Sequence, residues 1–148
     1  MASNDLSVEI QRLVDIEAIK QLKAFICRCI DTKDWDGYAT AVTDGVTLQA
    51  DGGRLEGRDK ATRALSRALA SATTVHQIHV AEITVDGDAA HAIFPMQDYA
   101  HMTFGDKEMT VRGFGQYHED YARTPEGWKL HHSELIRLHV DTEGEVPG

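Results

Sequence analysis

Much that would mark a specialised protein is missing from this chain. Only two of its 148 residues are cysteines, Cys27 and Cys29. They lie two apart on one predicted helix, where their side chains point about 200° apart and cannot pair. We read both as small buried hydrophobes in a protein of the reducing cytosol. A basic stripe is also missing: 15 Lys and Arg face 24 acids, for a formal charge of -9. That balance argues against nucleic acid and anionic membrane as partners. The longest apolar stretches fall short of the ~20 residues of a membrane span. The opening Met1-Ala2-Ser3-Asn4-Asp5 is polar and lacks the layout of a signal peptide. No repeat, low-complexity tract, glycine-rich phosphate loop or nucleophile elbow is present.

What is there suits an ordinary soluble domain, 42% hydrophobic and 26% charged. The length predicts a single domain over 1–148 that buries roughly two-thirds of its unfolded surface. From Ser7 to Lys33 apolar residues recur near a period of 3.6, at Leu6, Ile10, Leu13, Val14, Ile16, Ile19, Leu22, Ile26, Cys29 and Ile30. This predicts a long helix with that face buried. Thr32 or Asp34 can cap a short second helix to about Val42. Val46–Ala50 and Arg54–Glu56 read as short strands around Asp51-Gly52-Gly53, and a third helix follows over Lys60–Ala70.

The second half reads as β. Strand-like runs cover Thr74–Val85, Ala89–Thr103, Glu108–Arg123 and Trp128–Val140, with turn chemistry at Asp86-Gly87-Asp88, Gly105-Asp106 and Pro125-Glu126-Gly127. A change of apolar parity places a bulge near Ala81-Glu82, and Pro95 marks an edge or a bend. The acidic stretch from Asp141 to Gly148 reads as a mobile tail. Helices followed by a curved meander predict an α+β fold. Its N-terminal helices pack on the concave face of a bent, mainly antiparallel sheet and leave a pocket between the layers.

Asp31 stands out against this pattern. It ends the apolar run Ala24-Phe25-Ile26-Cys27-Arg28-Cys29-Ile30, in the last turn of the first helix. Burial and the negative end of the helix dipole both push such a carboxyl up, so it needs a partner or a proton. His76 and His101, each on a predicted strand, are candidate partners, and a buried Asp–His pair is a general-base device. Lys20, about three turns before Asp31, is too far away to serve. A metal site is not expected. In His76-Gln77-Ile78-His79 the two histidines of a strand face opposite ways, and His131-His132 fails likewise. His91, His118 and His139 read as exposed. His132 shares parity with Trp128 and Leu130 and lines the pocket if no bulge intervenes.

Several segments carry a resemblance. Asp31-Thr32-Lys33-Asp34-Trp35-Asp36, Leu55-Glu56-Gly57-Arg58, Thr74-Val75-His76, Val85-Asp86-Gly87-Asp88-Ala89-Ala90, Gly115-Gln116-Tyr117-His118 and Gly127-Trp128-Lys129-Leu130 span nearly the whole chain. Together they resemble the SnoaL-like domains of the nuclear-transport-factor-2-like superfamily, scytalone dehydratase and hexachlorocyclohexane dehydrochlorinase among them. The resemblance implies a cone-shaped α+β fold whose pocket is closed by the first helix. It also implies that Asp31 holds His76, which removes a proton beside an activated carbon, with His101 as a second pocket histidine.

The chain departs from the dehydratase at Ile30 and Ala50, where the resemblance expects tyrosines, and at Gly115 and Tyr117, where it expects small polar residues. Tyr99, Tyr117 and Tyr121 are candidate replacement hydroxyl donors, and Tyr99, Tyr117 and His132 are candidate substrate contacts.

The expected activity is a lyase that needs no cofactor or metal, with a small hydrophobic substrate such as a polyketide, steroid, terpenoid or halogenated ring. Isomerase or cyclase chemistry of the ketosteroid-isomerase or polyketide-cyclase kind, with an Asp carrying the proton, is the alternative among enzymes. A non-catalytic binding or dimerisation module is the alternative outside them. By analogy the chain forms a homo-oligomer, a dimer or trimer.

Overall fold

The computed structural model describes residues 2–144, with side chains from residue 5. Three helices precede most of the sheet: α1 (Ala2–Thr32), α2 (Trp35–Ala41) and α3 (Arg58–Ala68). Strands β1 (Val42–Ala50) and β2 (Gly53–Glu56) lie between α2 and α3. After α3 come β3 (Thr73–Ile78), β4 (Glu82–Asp86), β5 (Ala89–Phe104), β6 (Lys107–Thr124) and β7 (Gly127–Gly144). The seven strands form one sheet in the order β2-β1-β7-β6-β5-β3, with β4 also paired to β5. Only the β1–β7 pair is parallel. The helices pack on this curled, mostly antiparallel sheet, which is the expected α+β cone.

Helix α1 stops sharply just after Asp31. Lys33 takes a left-handed φ of 61°. Lys33 N donates to the Ile30 carbonyl at 3.2 Å and Asp34 N to the Cys29 carbonyl at 2.8 Å. These are the two bonds of a Schellman termination, here with lysine where glycine is usual. The side chain of Asp34 then accepts from Gly37 N at 2.9 Å and caps α2. Asp31 is thereby held on the last turn of a helix whose direction is set on both sides.

Burial along α1 departs from the periodic reading. Ile19, Ile26 and Cys29 join the core with Tyr38, Phe94 and Leu130. Leu6, Ile10, Leu13 and Val14, however, are exposed. The 3.6 period identified a helix correctly but not which part of it would be covered. Asp15, within that first half, is buried instead. It accepts from Arg123 Nη1 and Nη2 at 2.9 and 2.7 Å and from Trp128 Nε1 at 3.1 Å. The Arg123 bonds outweigh the cost of burial and, with Trp128 and Gln11, bring its carboxyl from 3.8 to about 2.

Two expectations in the β half need correcting. The run Thr74–Val85 is broken rather than bulged: β3 ends at Ile78 and β4 begins at Glu82. The gap lies opposite Pro95, in the middle of β5. Its carbonyl accepts from His79 N at 2.9 Å, but its nitrogen has no hydrogen to return, so the ladder lapses there. On its other side β5 runs on unbroken, with Pro95 opposite Gln116. Residues 141–144 are no tail, because they extend β7 against Met109–Arg112. The rest of the expected tail, 145–148, lies outside the described residues. Among the described residues no helix is long and apolar enough to cross a membrane.

Candidate active site

Between α1 and the sheet lies a cavity of about 780 Å³, within the range of small-molecule sites. Lys23, Ile26, Cys27 and Ile30 line it from α1. Their spacing (i, i+3, i+4, i+7) is one helical face, and Asp31, four residues beyond Cys27, continues that face toward β3.

Asp31 meets β3 through three hydrogen bonds. His76 Nδ1 donates to Oδ1 at 2.6 Å, Thr74 Oγ1 donates to the same oxygen at 2.9 Å, and His76 N donates to Oδ2 at 2.9 Å. Burial acts to raise this carboxyl, but the bonds from the His76 ring and backbone, the His76 charge and the Thr74 hydroxyl outweigh it, so the net shift is downward. Since an ionised carboxylate can only accept, the contact requires the hydrogen of His76 on Nδ1. In the neutral ring Nε2 then keeps its lone pair, and that ring lines the cavity.

Beside the pair, Asp98 and Arg137 form a bidentate contact, both bonds 3.0 Å, and Arg137 Nε reaches Asp51 at 3.1 Å. All three are cavity-lining residues. Gly113 makes the contact possible, because a Cβ there would overlap both Arg137 Nη1 and Asp98 Oδ1. Elsewhere on the wall is a second charged group. Lys23 Nζ donates to Glu119 Oε1 at 2.7 Å and sits 3.6 Å from the centroid of the Tyr117 ring. Ser133 Oγ donates to Glu119 Oε1 at 2.8 Å, and the Tyr121 hydroxyl donates to Oε2.

The expected residues divide cleanly. Asp31 and His76 are brought together. Tyr117 lines the cavity; Tyr99 also contributes to its wall, but its ring lies 5.8 Å from the Arg112 guanidinium, in the row it shares with Val75. Tyr121 is buried with its hydroxyl on Glu119. Ile30 and Ala50, at the expected tyrosine positions, do line the cavity.

His101 and His132 are corrections, since neither lies in the cavity wall. On β5 the inward row is even-numbered, Asp98, Ala100 and Met102. His101 falls between them, and its Nδ1 is 3.0 Å from Thr110 Oγ1. On β7 the register shifts between Leu130, opposite Tyr121, and His132, opposite Asp120. That bulge turns His132 to the other face, where it bonds the Thr47 hydroxyl. Of the three histidines read as exposed, His91 and His139 are so, and His118 is half-buried.

Sequence reasoning missed Lys23, Asp98, Glu119 and Arg137. Each is a charged residue in a stretch read as amphipathic, and charge on such elements ordinarily means solvent. Lys23 carried one signal, its place on the same helical face as Cys27 and Asp31.

Comparison with known proteins gives a consistent result. Residues 11–134 match the family model described as the SnoaL-like domain. A Kribbella flavida protein of known structure is 21% identical, with a TM-score of 0.82 over 88% of this chain and 95% of that one. A candidate scytalone dehydratase from Novosphingobium aromaticivorans is 18% identical, with a TM-score of 0.78 over 88% of each chain. The hexachlorocyclohexane dehydrochlorinase LinA-type3 of Novosphingobium barchaimii is 16% identical, with a TM-score of 0.78 over 91% of this chain and 94% of that one. At these identities the structural likeness speaks for the fold alone.

Proposed function

The chain belongs to the SnoaL-like domain family, and from that premise we propose that it is a cofactor-independent lyase of the dehydratase kind. It abstracts a proton from a small hydrophobic carbonyl or cyclic substrate and completes an elimination. The observation that carries this reading is the 2.6 Å bond from Nδ1 of His76, a residue in the wall of a largely apolar cavity, to Asp31 behind it. His76 Nε2 is the base. Asp31 fixes the tautomer and stabilises the imidazolium as it forms. With His101 outside the cavity, Tyr117 is the candidate donor to a leaving group or an enolate oxygen. Burial first, then the neighbouring Cys27 and the carboxylates of Glu119 and Asp98, hold its phenol well above the ordinary range, so it stays protonated. The names of the dehydratase and dehydrochlorinase neighbours are in keeping with this chemistry.

The hydrogen bonding of Asp31 favours His76 over Asp31 as the base. Both carboxylate oxygens already accept, and the carboxyl is held low, which makes it a poor proton carrier. Turnover of hydrophobic carbonyl compounds by three variants tests the assignment. His76→Ala is expected to lose about 10²–10⁴-fold in kcat or more, and Asp31→Asn and Asp31→Ala to retain comparable residual rates. An active His76→Ala beside a dead Asp31→Ala would transfer the proton to Asp31, as in an isomerase or cyclase. Protonation removes the base, so wild-type turnover should fall on acidification. Saturable ligand binding without turnover at any pH would make the protein a binding module instead.

A further inference from the structure

Apart from the Asp98–Arg137 contact, two polar pairs mark the cavity, one through His76 and the other through Lys23 and Glu119. Asp31 and His76 are 23% and 14% exposed, whereas Lys23 and Glu119 are 4% and 0% exposed. The first pair is therefore partly open to water, and the second is almost wholly shielded, which makes its end of the cavity the closed one. Lys23 and Asp31 are eight residues apart on α1, which is about 12 Å along the helix axis. Between them that face presents Ile26, Cys27 and Ile30.

We infer that the closed end of the cavity is a second ligand subsite, built by Tyr38, Ser133 and the Lys23–Glu119 pair, which takes an oxygen substituent remote from the carbon that His76 would deprotonate. The ligand is then an elongated apolar molecule, oxygenated at both ends. This rests on the catalytic reading only for what happens at the His76 end.

Three observations carry it. Tyr38 lines the cavity and is 1% exposed, yet its hydroxyl has no hydrogen-bond partner in the protein. Shielded hydroxyls are nearly always paired, and a ligand oxygen at this end would supply the missing partner. Burial, then the nearby Glu119 charge, raise this phenol, so it remains a donor. Second, Lys23 has three N–H bonds, and Glu119 takes one of them. Third, a buried ion pair is seldom more stabilising than two apolar side chains in its place. A binding role accounts for charge at the floor of an otherwise apolar cavity, where packing does not.

Calorimetric titration with two rigid probes tests the subsite without reference to turnover. The probes are 4-hydroxybiphenyl, with one terminal oxygen, and 4,4′-dihydroxybiphenyl, with one at each end. The wild type is expected to bind the second about tenfold more tightly, the worth of one good buried hydrogen bond. Tyr38→Phe should bring the diol down toward the mono-ol without lowering Tm, since the hydroxyl it removes has no partner to lose. Ser133→Ala, at the same floor, should shrink the difference in the same direction.

Equal wild-type affinities, no binding of either probe, or a full preference for the diol in both variants would each overturn the subsite. Failure of the lyase reading appears separately, as turnover that survives His76→Ala.

Discussion

A carboxylate at the end of a half-buried helix is held there by its partners, and Asp31 shows how many it takes. Burial works against its charge, and two ring or side-chain donors and one backbone N–H reverse the balance. Asp15 is the second such acid. It has a more committed partner in the guanidinium of Arg123 and also the indole of Trp128. Both carboxyls are lowered in the folded state. Their contribution to stability is therefore fully present above the ordinary 3.8 and is lost as pH falls through the folded values, about 2 for Asp15. Acid titration followed by near-ultraviolet circular dichroism should show this loss, and Asp15→Asn should flatten it while lowering Tm at neutral pH.

Asp31 was legible in the sequence because an acid interrupts an apolar run. Asp15 was not, because its apolar neighbours Leu13 and Val14 read as the covered side of the helix and are exposed. Local pattern cannot tell where a helix leaves the sheet beneath it.

Strand β7 decides which residues face the cavity, and it does so by changing parity twice. Its inward positions run Leu130, then Ser133, Leu135 and Arg137, then Val140 and Thr142. Each change coincides with a register shift against β6, the first between Asp120 and Tyr121 and the second between Phe114 and Gly115. One extra residue reverses every side chain beyond it. The second shift depends on Gly115, whose Cβ would overlap the Ile136 carbonyl oxygen. Gly115→Ala should therefore destabilise the fold by about 1–3 kcal/mol, measured by urea unfolding, and should loosen the orientation of Arg137. Alternation alone predicted His132 inward, and the first bulge turned it out. His101 went astray otherwise: its spacing from His76 fitted a resemblance, but the inward row of β5 is even-numbered. The break opposite Pro95 was half legible, because a missing N–H is visible in sequence and the strand that must do without it is not.

At the scale of the whole molecule, the Lys23–Glu119 pair joins the first helix to the sixth strand across 96 residues of chain. Both partners are almost wholly buried, so removing one strands the other. Lys23→Met alone or Glu119→Gln alone should cost about 3–5 kcal/mol in urea unfolding, whereas the two together should recover most of it, because the glutamine carbonyl can still accept from Tyr121 or Ser133. The recovered double variant is expected to have lost its preference for the doubly oxygenated probe. Stability and recognition at the closed end of the cavity would then be separated in one protein.

The residues by themselves determined the order of elements, the amphipathic helices, the turns and the conflict at Asp31. Each is a local matter of periodicity, backbone freedom or one charge among apolar neighbours. The tertiary structure alone decided which half of α1 is covered, where β7 changes face, and that Lys23, Asp98, Glu119 and Arg137 point inward. Those outcomes depend on which strand lies opposite which, and on hydrogen bonds that form only once distant segments meet. A charged side chain looks the same in sequence whether water or a buried partner will satisfy it.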